Sequence, residues 1–333
     1  MTPSHPEAGP SAALLRLRKR VGSHAIRGFF EGVSRVGQLH PRADPKVHGV
    51  EVKRNVDYVG HGNPLQTLDI WRPKHGKAKA PVVLYLHGGG FRILSKETHW
   101  VMALGFARQG YVVVNANYRL APEHPFPAAV QDACAAYTWL VAHADELAVD
   151  LSRLIVAGES AGANLTLAVA VAAVTRRPEP FAQQVFATGV VPQIILPACG
   201  LLQVSDVERF ARRKPDKVKG FLLDRMQEVS RSYLPPDAGH SDAARQLADP
   251  LHVLESDAVL DRPFPAVFAG VGTGDALLDD TRRLAAALAR RGIAHQVRYY
   301  PKQVHAFHAF VFLPEAKRFW REQQAFCDQH LPG

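Results

Sequence analysis

From about residue 80 to the C-terminus, short β-branched runs alternate with segments of helical period, and few architectures accept that alternation. Residues 81–86, 111–115, 154–157 and 265–270 are almost continuously apolar, as strands covered on both faces must be. Between them, 98–109, 128–144, 161–176 and 277–291 carry helical spacing, with 296–300 as the predicted last strand and 314–330 as the last helix. Parallel strands need long crossovers, so the pattern predicts an α/β fold: a mostly parallel central sheet flanked by helices. Residues 50–59 and 65–71 alternate with period two and read as an antiparallel lead-in pair.

Two stretches stand outside this pattern. Residues 1–45 place Leu14, Leu15, Leu17, Val21, Ile26, Phe29, Phe30, Val33 and Val36 among basic residues, which suggests one or two basic amphipathic helices. Residues 200–250 are charged and helix-rich, closing in the turn 233–237. Both suit a helical cap over the end of the sheet, which divides the chain into cap segments 1–45 and 200–250 and core segments 46–199 and 251–333. Residues 181–205 carry no charge, yet Pro192, Pro197, Gly189, Gly200 and four glutamines argue against a membrane span; a buried central strand with its loop is expected.

Forty Lys and Arg against 31 Asp and Glu leave +9, but the basic residues are dispersed and no nucleic-acid motif accompanies them, so no nucleic acid is expected as a partner. Cys134, Cys199 and Cys327 are odd in number and lack metal-ligand spacing. A disulfide scaffold and a zinc module are therefore not expected. Unpaired thiols and an N-terminus interrupted by Arg16, Arg18, Lys19 and Arg20 point to the cytoplasm.

The sharpest motif is Gly158-Glu159-Ser160-Ala161-Gly162, between the strand at 154–157 and the helix from 161. Gly-x-Ser-x-Gly in that setting is a nucleophile elbow: the turn is so tight that the serine is strained and its hydroxyl stands clear of the sheet. Upstream, His87-Gly88-Gly89-Gly90-Phe91 follows the strand at 81–86. Bare glycines present N–H groups that no side chain shields, so Gly88, Gly89 and Ala161 are the expected oxyanion donors, with His87 a structural hydrogen-bonder. A serine hydroxyl needs a base oriented by a carboxylate. Asp275 follows the strand at 265–270 and His305 follows the last strand, while Asp279 and Asp280 fit a helix N-terminus. His308, in a second His-Ala-Phe, stands as a rival base.

Three blocks then make the chain similar to the hormone-sensitive-lipase-like branch of the α/β-hydrolase carboxylesterases: His87-Gly-Gly-Gly90, Tyr118-Arg-Leu-Ala-Pro-Glu123-His-Pro-Phe-Pro-Ala128, and the elbow at Ser160. The resemblance covers roughly 65–325 and implies an α/β-hydrolase fold with a helical cap. It implies nucleophile Ser160, acid Asp275 and base His305, with no cofactor and no metal. Glu123 is expected to anchor its loop. Asp275-Ala-Leu277 and His305-Ala-Phe307 depart from the family's usual Asp-Pro-Leu and His-Gly-Phe, and Glu159 replaces a more common Asp or Thr.

The expected activity is hydrolysis of short- to medium-chain carboxylic esters through an acyl-enzyme on Ser160. An amidase or formamidase using the same triad, and a ligand-binding relative without catalysis, are the alternatives. The expected partner is a small-molecule ester. A homodimer is compatible with the sequence. For the N-terminal stretch a cap role is favoured over contact with a membrane or lipid surface, because the resemblance places a cap there.

Overall fold

Along β3 (Ala80–Leu86) the side chains divide by parity: Val82, Leu84 and Leu86 enter one apolar layer, Val83 and Tyr85 the other. That two-sided burial is why the strand's sequence is apolar throughout. The computed structural model describes residues 27–28, 30–75, 79–216, 218–235 and 245–332, and within them eight strands form one sheet in the order β1-β2-β4-β3-β5-β6-β7-β8. β1 (Val50–Asp57) pairs antiparallel with β2 (Thr67–Pro73), and β2 pairs antiparallel with β4 (Val112–Ala116). From β4 onward, β3, β5 (Val149–Glu159), β6 (Ile194–Ala198), β7 (Ala266–Gly272) and β8 (His295–Tyr300) run parallel. This is the α/β architecture that the alternation predicts.

The crossovers cover both faces. The layer containing Val82 is built with α2 (Ala128–Ala142), α3 (Ala161–Val174), α7 (Pro250–Glu255) and α8 (Leu278–Arg290). The layer containing Tyr85 is built with α1 (Trp100–Ala107) and α9 (Pro314–His330). Every residue of α3 is buried, which its Ala- and Val-rich sequence permits, since a helix apolar all round belongs inside.

The uncharged stretch 181–205 is partly a correction. Its centre is the buried strand β6, but its beginning is α4 (Pro180–Ala187), a helix packed against α2 and α3. Ala182 and Val185 are buried at helical spacing while Gln183 and Gln184 face water. Glutamine carries the polar face without charge, so the amphipathic pattern was hidden.

Between β6 and β7 the chain forms α5 (Glu208–Arg213) and α6 (Phe221–Tyr233). Arg209 on α5 donates three bonds to Asp280, two from Nη2, at 2.6 Å to Oδ1 and 2.5 Å to Oδ2, and one from Nε at 3.2 Å to Oδ1, and Asp280 also accepts the Leu202 N–H at 2.8 Å. α6 lies on the loop after β3: Tyr233 stacks on Phe91 at 3.7 Å between centroids, and Glu228 pairs with Arg92 at 2.7 Å. Of the expected N-terminal amphipathic stretch, Leu14, Leu15, Leu17, Val21, Ile26 and Phe29 lie outside the described residues, as does the end of the 233–237 turn. Residues 30–38 are helical, and Ser34 and Gln38 donate to the Glu97 carbonyl at 3.4 and 3.2 Å.

Candidate active site

β5 ends at Glu159 and α3 begins at Ala161, leaving Ser160 alone to make the turn at φ 55° and ψ −115°. A non-glycine residue holds that conformation only when its surroundings impose it. They do: a Cβ on Gly162 would sit 2.0 Å from the Leu86 carbonyl oxygen, and one on Gly158 would sit 2.6 Å from backbone of both Gly162 and Leu86. The two glycines let helix and strands approach to contact. The Ser160 N–H donates to the Ala198 carbonyl at 3.0 Å, and the side chain makes no capping bond to its helix.

Asp275 lies just beyond β7 and is buried; His305 lies just beyond β8, its side chain 42% exposed. The structure brings these two together, with His305 Nδ1 2.9 Å from Asp275 Oδ2. The partial loss of water around the ring presses the His305 imidazolium down, but Asp275 and the Cys199 side chain beside it outweigh that, so the ring titrates well above the usual histidine value. Asp275 also caps its own turn by accepting the Leu277 N–H at 2.8 Å, which fixes the carboxylate's direction. The peptide at Ala198–Cys199 links this pair to the elbow: Ala198 receives the Ser160 N–H, and Cys199 donates to Gly270 of β7 at 3.0 Å.

His308 is elsewhere. It is buried in the aromatic layer with its ring 4.7 Å from that of Phe319, and beside a cavity of about 10 Å³ also lined by Tyr85, Met102, Phe106 and Trp320. Burial pushes its pKa down to about 4, and its Nδ1 has no hydrogen-bond partner. A neutral ring without a carboxylate partner lacks what orients a general base.

Gly88 is a second correction. Its N–H, expected as an oxyanion donor, is given to the buried Glu159 Oε1 at 2.6 Å and so is committed inside the protein. The next two glycines have the conformations that justify them: Gly89 at φ 119°, with its would-be Cβ 2.0 Å from the Ile93 carbonyl oxygen, and Gly90 at φ 60° against Val229 of α6. His87 is a structural hydrogen-bonder. Its Nδ1 donates to the Gly88 carbonyl at 2.7 Å, its ring stacks on Tyr118, and burial pushes its pKa down to about 3.

Glu123 is exposed, and the anchor of its loop is Asp132 instead. Asp132 accepts the Arg119 N–H at 2.8 Å, both prongs of its guanidinium, and Gln66 Nε2 at 2.7 Å. The motifs also left out the other partners of Glu159. Tyr85 donates to it and His99 Nε2 lies 2.6 Å from it. The available signal was physical: a buried tyrosine and a buried glutamate each require a partner.

Among the described residues, Cys199, Asp275 and His305 set a thiol, a carboxylate and an imidazole within 4.8 Å of one another. These donor types suit a divalent ion, but the imidazole nitrogen facing Asp275 is already hydrogen-bonded to it, as a proton-transferring histidine requires.

Comparison with known proteins gives the family. The chain is 29% identical to the carboxylesterase NlhH of Mycobacterium tuberculosis over 319 residues, 95% of this chain and 93% of that one. It is 44% identical to the esterase LipI of the same organism over 117 residues, a match spanning about a third of each chain. Its fold superposes on the Pyrobaculum calidifontis esterase with a TM-score of 0.72 at 27% identity, covering 97% of this chain and 100% of that one. The model of the α/β hydrolase fold family matches residues 83–309, which hold Ser160, Asp275 and His305. With a matched span from β3 to the loop that bears His308, the chain belongs to the α/β-hydrolase fold family, in its hormone-sensitive-lipase-like branch.

Proposed function

We propose that the chain is a serine carboxylesterase that hydrolyses short- to medium-chain carboxylic esters through an acyl-enzyme on Ser160. The observation that carries this reading is the hydrogen-bonded Asp275–His305 pair on loops after β7 and β8, at the same end of the parallel sheet as the β5–α3 turn that holds Ser160 at φ 55°. The esterases among its relatives support the ester as substrate class.

In this reading Asp275 holds the His305 ring with Nδ1–H toward the carboxylate, leaving Nε2 to take the Ser160 proton as the hydroxyl attacks the ester carbonyl. The imidazolium that forms is stabilised by Asp275, which already favours the charged ring. The oxyanion is received by N–H groups of Gly89, Gly90 and Ala161, the last at the positive end of α3. His305 then returns the proton to the leaving alcohol, and water repeats the sequence to release the acid. α5 and α6, with the helical residues 30–38, form the cap, α6 packing over Gly90 through Val229. Cys134, Cys199 and Cys327 are unpaired, which supports a cytoplasmic enzyme. No helix among the described residues is long and apolar enough to cross a membrane.

Labelling with a fluorophosphonate and locating the adduct by mass spectrometry tests the reading. The adduct is expected on Ser160, and Ser160→Ala should lower turnover of p-nitrophenyl butyrate by roughly 10⁴-fold or more. A label on another residue, or near-normal rates in that variant, overturns it.

A further inference from the structure

Glu159 immediately precedes the nucleophile, is buried, and is gripped from three sides. Its Oε1 accepts the Gly88 N–H at 2.6 Å and lies 2.6 Å from His99 Nε2, while Oε2 accepts from the Tyr85 hydroxyl. Gly88 and His99 are the two ends of one loop, the one that carries Gly89 and Gly90. The other nitrogen of His99 faces the Ser95 carbonyl at 3.0 Å and the Thr98 hydroxyl at 2.9 Å. Thr98 Oγ1 itself donates to that Ser95 carbonyl at 2.7 Å, so it accepts from the ring. Both ring nitrogens face acceptors, which only the doubly protonated imidazolium satisfies. Glycine at 88 lets the loop meet the carboxylate, since a Cβ would stand 2.7 Å from Glu159 Oε1 and 3.1 Å from the Glu159 carbonyl oxygen.

We propose that His99 and Glu159 are positioning residues for the oxyanion hole: one carboxylate draws both ends of the 88–99 loop onto the residue before the nucleophile, and so sets where the Gly89 and Gly90 amides point. The pairing also answers an electrostatic problem. A lone carboxylate next to Ser160 opposes the negative charge that forms on the substrate, and the His99 imidazolium cancels it. Neither residue touches substrate; both act through the loop. This rests on the esterase reading above.

The test compares Glu159→Gln, His99→Gln and Tyr85→Phe for kcat and KM on p-nitrophenyl butyrate, and for affinity toward an alkyl trifluoromethyl ketone that forms a tetrahedral oxyanion on the serine. Rates are taken per folded molecule, from near-UV circular dichroism and fluorophosphonate titration. Glu159→Gln should lower kcat and ketone affinity together by about 100-fold and His99→Gln by about tenfold, each with KM within about threefold of wild type. Tyr85→Phe removes a partner of the carboxylate that is not on the loop, and should stay within about threefold in kcat. Should Glu159→Gln not fold, His99→Gln against His99→Leu decides, the leucine variant being the slower. Unchanged kcat in the His99 variants, losses shared equally by KM, or a Tyr85→Phe loss matching that of His99→Gln overturns the proposal. A Ser160→Ala protein that keeps turning over ester would instead overturn the esterase reading, whatever the His99 variants do.

Discussion

His305 directs Nδ1 at the Asp275 carboxylate from 2.9 Å, whereas His308, three residues on, has no partner for its Nδ1. The two histidines occur in identical His-Ala-Phe tripeptides, yet one pairs with Asp275 and the other sits in the aromatic layer beneath the sheet. His305→Ala should therefore lower kcat by roughly 10⁴-fold with little change in thermal midpoint. His308→Ala should keep kcat within about tenfold and lose about 2 kcal/mol of stability from the packing against Phe319. Steady-state kinetics and urea melts on both variants check this, and full activity in His305→Ala would move the base to the other ring.

The charge state of His305 sets the acid side of the rate profile. In the proposed mechanism turnover needs the neutral ring, and Asp275 holds the ring's pKa above the usual 6.5. As pH falls through that raised value the base is protonated and kcat/KM declines, so the acid limb should have its midpoint above 6.5. A profile still flat at pH ~6 contradicts this assignment.

Glycine substitutions separate crowding from backbone conformation. Gly162→Ala places a methyl group 2.0 Å from the Leu86 carbonyl oxygen, and backbone on both sides has to move. A loss of about 3 kcal/mol is expected, with catalysis impaired as the elbow shifts. Gly110→Ala meets nothing within 4 Å but must adopt φ +96°, for which about 1 kcal/mol is expected and no effect on kcat. Equal losses at the two sites would refute the crowding argument.

Arg209 and Asp280 fasten α5 to the start of α8, both side chains nearly inaccessible to water. Arg209→Leu leaves Asp280 with Arg283 at 3.5 Å and two backbone N–H groups, and should cost about 3 kcal/mol. Urea denaturation measures it; a change under about 0.5 kcal/mol would mean the remaining partners suffice.

How much of this was legible in the chain depended on range. The strands and the elbow are local: β-branched runs and Gly158-Glu159-Ser160-Ala161-Gly162 state their conformation within a few residues, and the sheet follows from their order. Choosing among Gly88, Gly89 and Gly90 is not local, because the three are chemically identical until a carboxylate 71 residues away takes one of their N–H groups. The same applies to His305 and His308, whose tripeptides match. Helix α4 is hard to read from sequence because Gln183 and Gln184 supply its wet face without charge. Asp132 displaced Glu123 as the loop anchor because only the fold shows which carboxylate faces Arg119.

The contact between Gly162 and the Leu86 and His87 carbonyls leaves no room for even a methyl group. The serine and the glycine loop opposite it are thereby parts of one rigid body, welded below the floor of the site. If the chain is the esterase proposed, whatever breathing admits an ester and lets its alcohol leave then falls to the helices resting on top, and α6 transmits it to the glycine loop through Val229 and Tyr233.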